Sequence, residues 1–371
     1  MSRSITSTAY DAWLASACMP SGLVRKMLDL YGSSEACYEA FQRHDDQILI
    51  MITPRFRHLL SGISSSESLS KMQDKINRHL VKSVCFSDTL FPEQLFFMQD
   101  PPAILFYQGE PSCMKRKILA MVGSRAASYT GQKAAFKLSE NLSRHNVSVV
   151  SGLACGIDAS AHKGCISGSS PTIAVLGCGL DRPYPADNLD LRNEILDKGG
   201  LILSEYAPGE KASGWHFPVR NRIIVGLGKA LILIEAKIRS GSMTSVRHAL
   251  DQGKDVFVYP GDPDSDYFEG NHQLLREGGI YFTSAQDILE DLHWLDNPAS
   301  VGHNIDCTQR RKSSTPEEEA VYNALSRGVL SFEQLLEKTG MNPSVLMSTL
   351  TVMQISNIID ALPGKQYQLK Y

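Results

Sequence analysis

Cys-x-x-Cys pairs are missing from this chain: its eight cysteines, at positions 18, 37, 85, 113, 155, 165, 178 and 307, are scattered. That spacing suits neither a disulfide framework nor a zinc site, so a reducing cytoplasm and no metal are expected. No apolar run nears the ~20 residues a membrane span needs. The opening Met1-Ser-Arg-Ser-Ile-Thr-Ser has no apolar stretch of the signal-peptide kind. A strong charge of either sign is lacking too. Thirty-seven Lys and Arg stand against 40 Asp and Glu, for a net charge of −3. This excludes a generally basic coat but not a local basic groove. Paired acidic residues of the metal-dependent nuclease kind do not occur.

What is present is the composition of an ordinary globular protein, 43% hydrophobic and 21% charged over 371 residues. That length predicts two or three domains. Residues 1–85 read as an N-terminal helical domain. Tyr10-Asp-Ala-Trp-Leu-Ala-Ser-Ala and Leu23-Val-Arg-Lys-Met-Leu-Asp-Leu space their apolar residues three and four apart, and Ala36-Cys-Tyr-Glu-Ala-Phe follows Gly32. Phe91-Pro-Glu-Gln-Leu and Asp100-Pro-Pro form a connector into a short strand at Ile104–Tyr107.

From Ile118 the rhythm becomes strand, glycine-rich turn, helix. Apolar runs at Ile118–Val122, Val147–Val150, Thr172–Leu176, Leu201–Leu203, Ala230–Ile234 and Asp255–Val258 predict strands covered on both faces. Helix-length segments lie between them, at Gly131–Asn146, Ile157–Cys165, Asn188–Lys198 and Met243–Gln252. The fold class is therefore α/β, a doubly wound Rossmann-like sheet over 86–295, with its ligand at the strands' carboxyl ends. Residues 296–314 lack periodicity and read as a linker. In 315–371, capping residues at Thr315 and Ser331, a stop at Gly340, a start at Asn342-Pro343 and a hairpin around Leu362–Leu369 predict a winged-helix domain.

Five stretches carry chemistry. Gly123, Ser124 and Arg125 follow a strand and precede a helix, where backbone amides and a planar cation favour phosphate; a plain turn is the alternative. Ser151 and Gly152 open a second such turn. Asp158 and His162, four apart on the helix behind it, form an acid–base dyad or, preferably, a structural pair. Gly177-Cys-Gly lacks the third glycine of the dinucleotide fingerprint, and Asp181-Arg-Pro-Tyr-Pro breaks the helix that should receive a pyrophosphate, so no such cofactor is expected. Phe217, Arg220, Asn221 and Arg222 combine cations with an aromatic face, as binding of single-stranded nucleic acid requires; an interface ion network is the alternative. Lys237, Arg239 and Ser240-Gly241-Ser242 make another anion-ready helix start, with Glu235 either a catalytic carboxylate or, preferably, an anchor for the nearby arginines. Arg125, Arg220, Arg222, Lys237 and Arg239 thus stand at successive strand ends, a basic edge that suits several spaced phosphates.

Gly123-Ser-Arg, Ser151-Gly-Leu-Ala-Cys-Gly-Ile-Asp-Ala-Ser-Ala-His, Leu203-Ser-Glu-Tyr, His216-Phe-Pro-Val-Arg-Asn-Arg, Glu235-Ala-Lys-Ile-Arg-Ser-Gly-Ser and Val258-Tyr-Pro-Gly resemble, in order, the DprA/Smf family. The resemblance implies an extended Rossmann fold behind a small SAM-like helical domain, dimerisation through the Rossmann part, and no catalytic activity. It also implies binding of single-stranded DNA during natural transformation, loading of the RecA recombinase onto it, and displacement of single-strand-binding protein. The implied pocket uses Arg125, Ser151, Gly152, Phe217, Arg220, Asn221, Lys237 and Ser240 to Ser242. Family members often carry a lysine where this chain has Gly214; Lys211 is the candidate substitute. The third helix of the winged module, from Pro343, contains no Lys or Arg up to Asn357, so this module is expected to bind protein, or DNA only weakly. The rival reading is a nucleotide-hydrolysing phosphoribohydrolase, whose glycine loop precedes its glutamate; here Glu235 comes before Ser240-Gly-Ser.

Overall fold

The computed structural model describes residues 5–295, 316–325, 330–355, 358–362 and 366–369. The expected linker 296–314, Cys307 and the capping residue Thr315 lie outside the described residues. Two compact units divide the chain, Met1–Leu295 and Asp296–Tyr371.

The first unit begins with six helices: α1 (Ser7–Ala15), α2 (Ser21–Tyr31), α3 (Ser34–Gln42), α4 (Asp46–Met51), α5 (Pro54–Gly62) and α6 (Ser66–Arg78). Local chemistry sets their ends. The side chains of Ser33, Asp45 and Ser65 accept backbone N–H groups of α3, α4 and α6, and Gly32 ends α2 at φ 82°. Their apolar faces do not close on themselves. Trp13, Leu14, Met27, Cys37 and Ile48 share one core with Ile104, Phe106, Leu176 and Ile202 of the sheet behind them. The helices are therefore a cover for one face of that sheet.

The sheet alternates with helices: β1 (Lys82–Cys85), β2 (Ile104–Gly109), β3 (Lys117–Val122), α7 (Tyr129–Arg144), β4 (Val147–Ser151), α8 (Ile157–Ser167), β5 (Ile173–Leu176), α9 (Leu189–Asp197), β6 (Leu201–Ser204), α10 (His216–Leu227), β7 (Leu231–Leu233), α11 (Ser242–Asp251), β8 (Val256–Val258), α12 (Glu269–Arg276), β9 (Ile280–Tyr281) and α13 (Ala285–Asp291). Its nine strands run β1-β2-β6-β5-β4-β3-β7-β8-β9. β1 and β2 are antiparallel to their neighbours and the rest are parallel. Lys82–Cys85, grouped by sequence with the N-terminal helices, is thus an edge strand, with Val84 opposite Leu105. Every residue of β4, β5 and β6 is buried, as strands packed on both faces require.

From β3 the chain works outward through β4, β5 and β6, then returns as β7 on the other side of β3. Such a reversal opens a crevice beyond the strands' carboxyl ends. α10 makes the return crossing. Its last turn is tied by the Lys254 ammonium, which donates to the carbonyls of Val225, Gly226 and Gly228 at 2.6, 2.7 and 2.7 Å. Burial pulls that lysine's pKa down to about 8.

The second unit contains α14 (Pro316–Leu325), β10 (Leu330–Ser331), α15 (Phe332–Thr339), α16 (Pro343–Ile355), β11 (Ile359–Leu362) and β12 (Gln366–Leu369). Its strands order as β10-β12-β11, with Ile359 opposite Leu369. Val321, Leu325, Leu335, Leu346, Leu350 and Met353 make a core of its own. Ser331 and Gln334 close a reciprocal capping box, and Gly340 ends α15 at φ 65°. Three helices and a two-stranded wing make this a winged helix. Residues 363–365 lie outside the described residues. With the doubly wound sheet and its helical cover, the fold class is the one read from the sequence.

Candidate functional site

Three strand-end loops are fastened backbone to backbone. The Ser124 N–H donates to the Glu235 carbonyl at 2.8 Å, and the Ile157 N–H donates to the Ser124 carbonyl at 3.1 Å. This approach depends on Gly156, which has φ +80° and where a Cβ would lie 2.3 Å from the Ser124 oxygen. The ends of β3, β4 and β7 therefore present one continuous wall.

Glu235 lies under that wall, wholly buried. Its carboxylate accepts the Ser128 N–H at 3.0 and 3.1 Å and the Ser128 hydroxyl, which itself caps α7 by accepting from the Gly131 N–H at 3.0 Å. The sequence reading had Glu235 anchoring nearby arginines. That is corrected: its partner is a serine, and its role is to hold the β3 loop against β7.

Arg220 is a buried strut. Its guanidinium donates to the Gly152 carbonyl at 3.0 Å, to the Val175 carbonyl, and through Nε to Asn221 Oδ1 at 3.2 Å. Asp158 faces it and accepts the Gly152 N–H at 3.1 Å. Burial raises the Asp158 pKa while the Arg220 charge opposes the rise; burial lowers the Arg220 pKa while Asp158 opposes the fall. Gly152 has no room for a side chain, because a Cβ there would sit 2.5 Å from Arg220 Nη2. The Ser151 hydroxyl turns inward, donating to the Met121 carbonyl at 2.6 Å. His162 pairs with Thr172 Oγ1 at 2.8 Å, and burial pushes its pKa down to about 3. Asp158 and His162 thus take different partners, and both are structural.

Above the wall lies a cleft of about 500 Å³ whose lining includes Ser124, Arg125, Phe217, Asn221, Ser240 and Ser242. Arg125 is exposed, with its guanidinium carbon 4.8 Å from the centre of the Phe217 ring. Tyr184 lies on Phe217 as well, ring centres 5.6 Å apart. The hydroxyls of Ser240 and Ser245, at the start of α11, are buried without a hydrogen-bond partner. Gly123, Gly214 and Gly241 also line it and add no side chains of their own. Lys237 and Arg239 are exposed on the same β7 loop but stand outside the lining, Lys237 lying 5.2 Å from the Tyr267 ring centre. Lys211 is exposed and also outside it.

Arg222 is not there. Its Nη2 donates to both Glu205 oxygens at 2.7 Å and lies 3.6 Å from Asp100. It faces a second cavity, on the far side of α10. Residues two apart on a helix are turned by roughly 200° from one another, so Arg220 and Arg222 do not share a site. The expected edge of five cations is therefore thinner than read from sequence. Arg125, Lys237 and Arg239 are exposed, Arg220 is committed to carbonyls, and Arg222 belongs to an ion network. Tyr184 and Ser245 were not singled out; an aromatic in a strand-end loop was the available signal for Tyr184.

Among the described residues no helix is long and apolar enough to cross a membrane, and no group of His, Cys, Asp and Glu is placed to hold a metal ion. Residues 82–293 match the family of DNA recombination-mediator protein A, and residues 308–365 match the DprA winged helix domain. Protein Smf of Escherichia coli is 33% identical over 92% of this chain and 93% of its own length. DNA processing protein DprA of Streptococcus pneumoniae is 42% identical over 56% of this chain and 73% of its own. The X-ray structure of the Streptococcus pneumoniae protein superposes with a TM-score of 0.65 at 34% identity, covering 78% of this chain and 99% of that one. A structure of DNA processing protein A from Helicobacter pylori, described for its single-stranded DNA binding mode, gives a TM-score of 0.52 at 28% identity, over 57% and 96% of the two chains.

Proposed function

The chain belongs to the DprA/Smf family of DNA-processing proteins, and from that premise we propose that it binds single-stranded DNA in the cleft beside Phe217, without chemistry of its own. The observation that carries this reading is the Arg125 guanidinium lying on the Phe217 ring at the rim of a glycine-lined cleft. A cation for a phosphate beside an aromatic face for a base is what a single strand requires. The unpartnered hydroxyls of Ser240 and Ser245, at the start of α11, supply further donors for backbone oxygens. The sequence-tolerant character of such contacts suits a protein that handles incoming DNA of any sequence.

In the full reading, the protein acts in the cytoplasm, as a homodimer through its Rossmann-like sheet. It protects DNA entering during transformation, helps displace single-strand-binding protein, and loads RecA. The nucleotide-hydrolysing alternative would need Glu235 free for catalysis; that carboxylate is buried and occupied by Ser128, which favours the binding reading. A gel shift with single- and double-stranded oligonucleotides tests it. Preferential retardation of the single strand, weakened by Arg125→Ala, is expected. Unchanged binding in that variant would remove the site, and release of a free base from a nucleotide would restore the enzyme.

A further inference from the structure

The start of α10 divides two cavities. Phe217, Asn221 and Ile224 face the cleft described above, while Trp215, Val219 and Arg222 face a second cavity of about 340 Å³. These are two stripes of positions three and four apart, on different sides of one helix. The second cavity is completed by the segment joining α1 to α2, by Phe56 of α5, and by Glu205 and Tyr206 beyond β6.

Its chemistry is specific. Arg222 is 8% exposed, and its Nη2 is held by Glu205, yet its Nε and Nη1 are buried without a hydrogen-bond partner. The Tyr206 hydroxyl, also buried, is unpartnered too. Buried donors without partners are costly, so the site suits a ligand that brings acceptors. Arg55 and Arg222 are balanced by Asp100 and Glu205 in the same lining. A zero net charge disfavours a free carboxylate or phosphate and favours a neutral group. The walls are aromatic: Phe56, Tyr206 backed at 4.0 Å by the His216 ring, and Trp215, which is 59% exposed at the mouth. The volume sits at the small end of ligand pockets, which span roughly 300–1,000 Å³.

The geometry points to a second nucleobase subsite: a base of the bound strand turns over the end of α10, stacks on Trp215 and sets its acceptors against Arg222 and the Tyr206 hydroxyl. This inference rests on the proposed strand binding at the Arg125–Phe217 cleft. Trp215 and Phe217 stand two residues apart on opposite sides of the helix start, so one strand straddles it. Base–aromatic stacking gives the second contact its strength, and the planar ring with acceptors around its edge gives it its fit.

Photocrosslinking of the full-length protein to a single-stranded oligonucleotide, with one 5-iodouracil moved along it, tests the assignment. Crosslinks at Phe217 or Tyr184 from one position, and at Trp215, Phe56 or Tyr206 from another, are expected. Trp215→Ala, at an exposed side chain, should weaken binding of a long strand about fivefold to a hundredfold, while a strand too short to leave the first cleft binds unchanged. Tyr206→Phe, which keeps the ring, should weaken the long strand in the same direction by less. A large excess of free deoxynucleoside monophosphate should leave the Trp215 crosslink in place; its loss would overturn assignment to the strand. Crosslinks confined to Phe217 and Tyr184, with Trp215→Ala binding as the wild type, would overturn the second subsite and leave the first. Binding insensitive to Arg125→Ala would instead overturn the reading beneath it.

Discussion

The Arg125 guanidinium carbon stands 4.8 Å from the centre of the Phe217 ring, although the two side chains come from a strand-end loop and a helix start more than ninety residues apart. One face of the ring is thereby given to a cation. On the proposed reading, phosphate and base recognition are set side by side, and the two can be separated by experiment.

Removing the cation should act through the phosphate backbone. Arg125→Ala is expected to lower single-strand affinity by ~1–2 kcal/mol, about tenfold, and to flatten the log affinity–log salt slope by ~0.7, one phosphate's share. Titrations at several salt concentrations measure both. A slope identical to the wild type would show that Arg125 contacts no phosphate.

Removing the ring should not behave that way. Phe217→Ala is expected to cost ~1–3 kcal/mol of strand affinity, with Phe217→Tyr close to the wild type, and the salt slope should stay where it was. An unchanged affinity in the alanine variant would sink the stacking role.

Arg220 tests folding rather than binding. Arg220→Ala leaves Asp158 buried without its opposing charge and three polar groups without their donor, so a loss of ~3–5 kcal/mol of stability is expected in denaturant unfolding. Adding Asp158→Asn should return part of it, because the stranded charge is gone. A double-variant loss equal to the sum of the Arg220→Ala and Asp158→Asn losses would show that the pair is not coupled.

His162 supplies an acid limit. The Thr172 hydroxyl donates to the Val149 carbonyl at 2.6 Å, so the Nδ1–H of His162 donates to Thr172 and Nε2 stays buried without a partner. With a folded pKa of about 3 against about 6.5 when unfolded, the unfolded chain binds more protons between those values. The stabilising contribution is complete above about pH 6.5 and is lost progressively as pH falls towards 3. Urea midpoints should drop across that window, and less steeply in His162→Gln; parallel profiles would assign the acid sensitivity elsewhere.

The winged helix should be nearly indifferent to duplex DNA. α16 carries no Lys or Arg, so it brings no phosphate contacts into a groove. Residues 312–371, which include a core of their own, should show no salt-sensitive duplex retention on a DNA column. Retention that washes off with salt would reverse the assignment.

Much of this fold was legible because a parallel sheet advertises itself. β4, β5 and β6 are buried throughout, and such strands read as unbroken apolar runs whatever packs on them. The sheet's edges were not legible. Lys82–Cys85 and Ile280–Tyr281 are short, half covered and mixed in composition, so only their pairing with β2 and β8 reveals them. In the site, the glycines and Phe217 were visible as residue types suited to close approach and stacking. The fate of each charge was not, since a cation's role depends on what lies opposite it. The separation of Arg220 from Arg222 could nevertheless have been read from helical spacing alone. The pairing of Glu235 with Ser128 could not, because it joins residues 107 positions apart.

α10 is clamped at both ends: at its start His216 Nδ1 lies 3.0 Å from the Gly177 carbonyl and Arg220 is locked to β4 and β5, while Lys254 grips its last carbonyls. A helix held this way acts as a fixed gauge. The spacing between whatever rests on its two flanks is dictated by the protein, and a strand held on both flanks, as proposed, must bend to match. Pliability of the backbone, rather than the letters written on it, would then decide what the protein accepts. A stiff duplex would be turned away by its own rigidity.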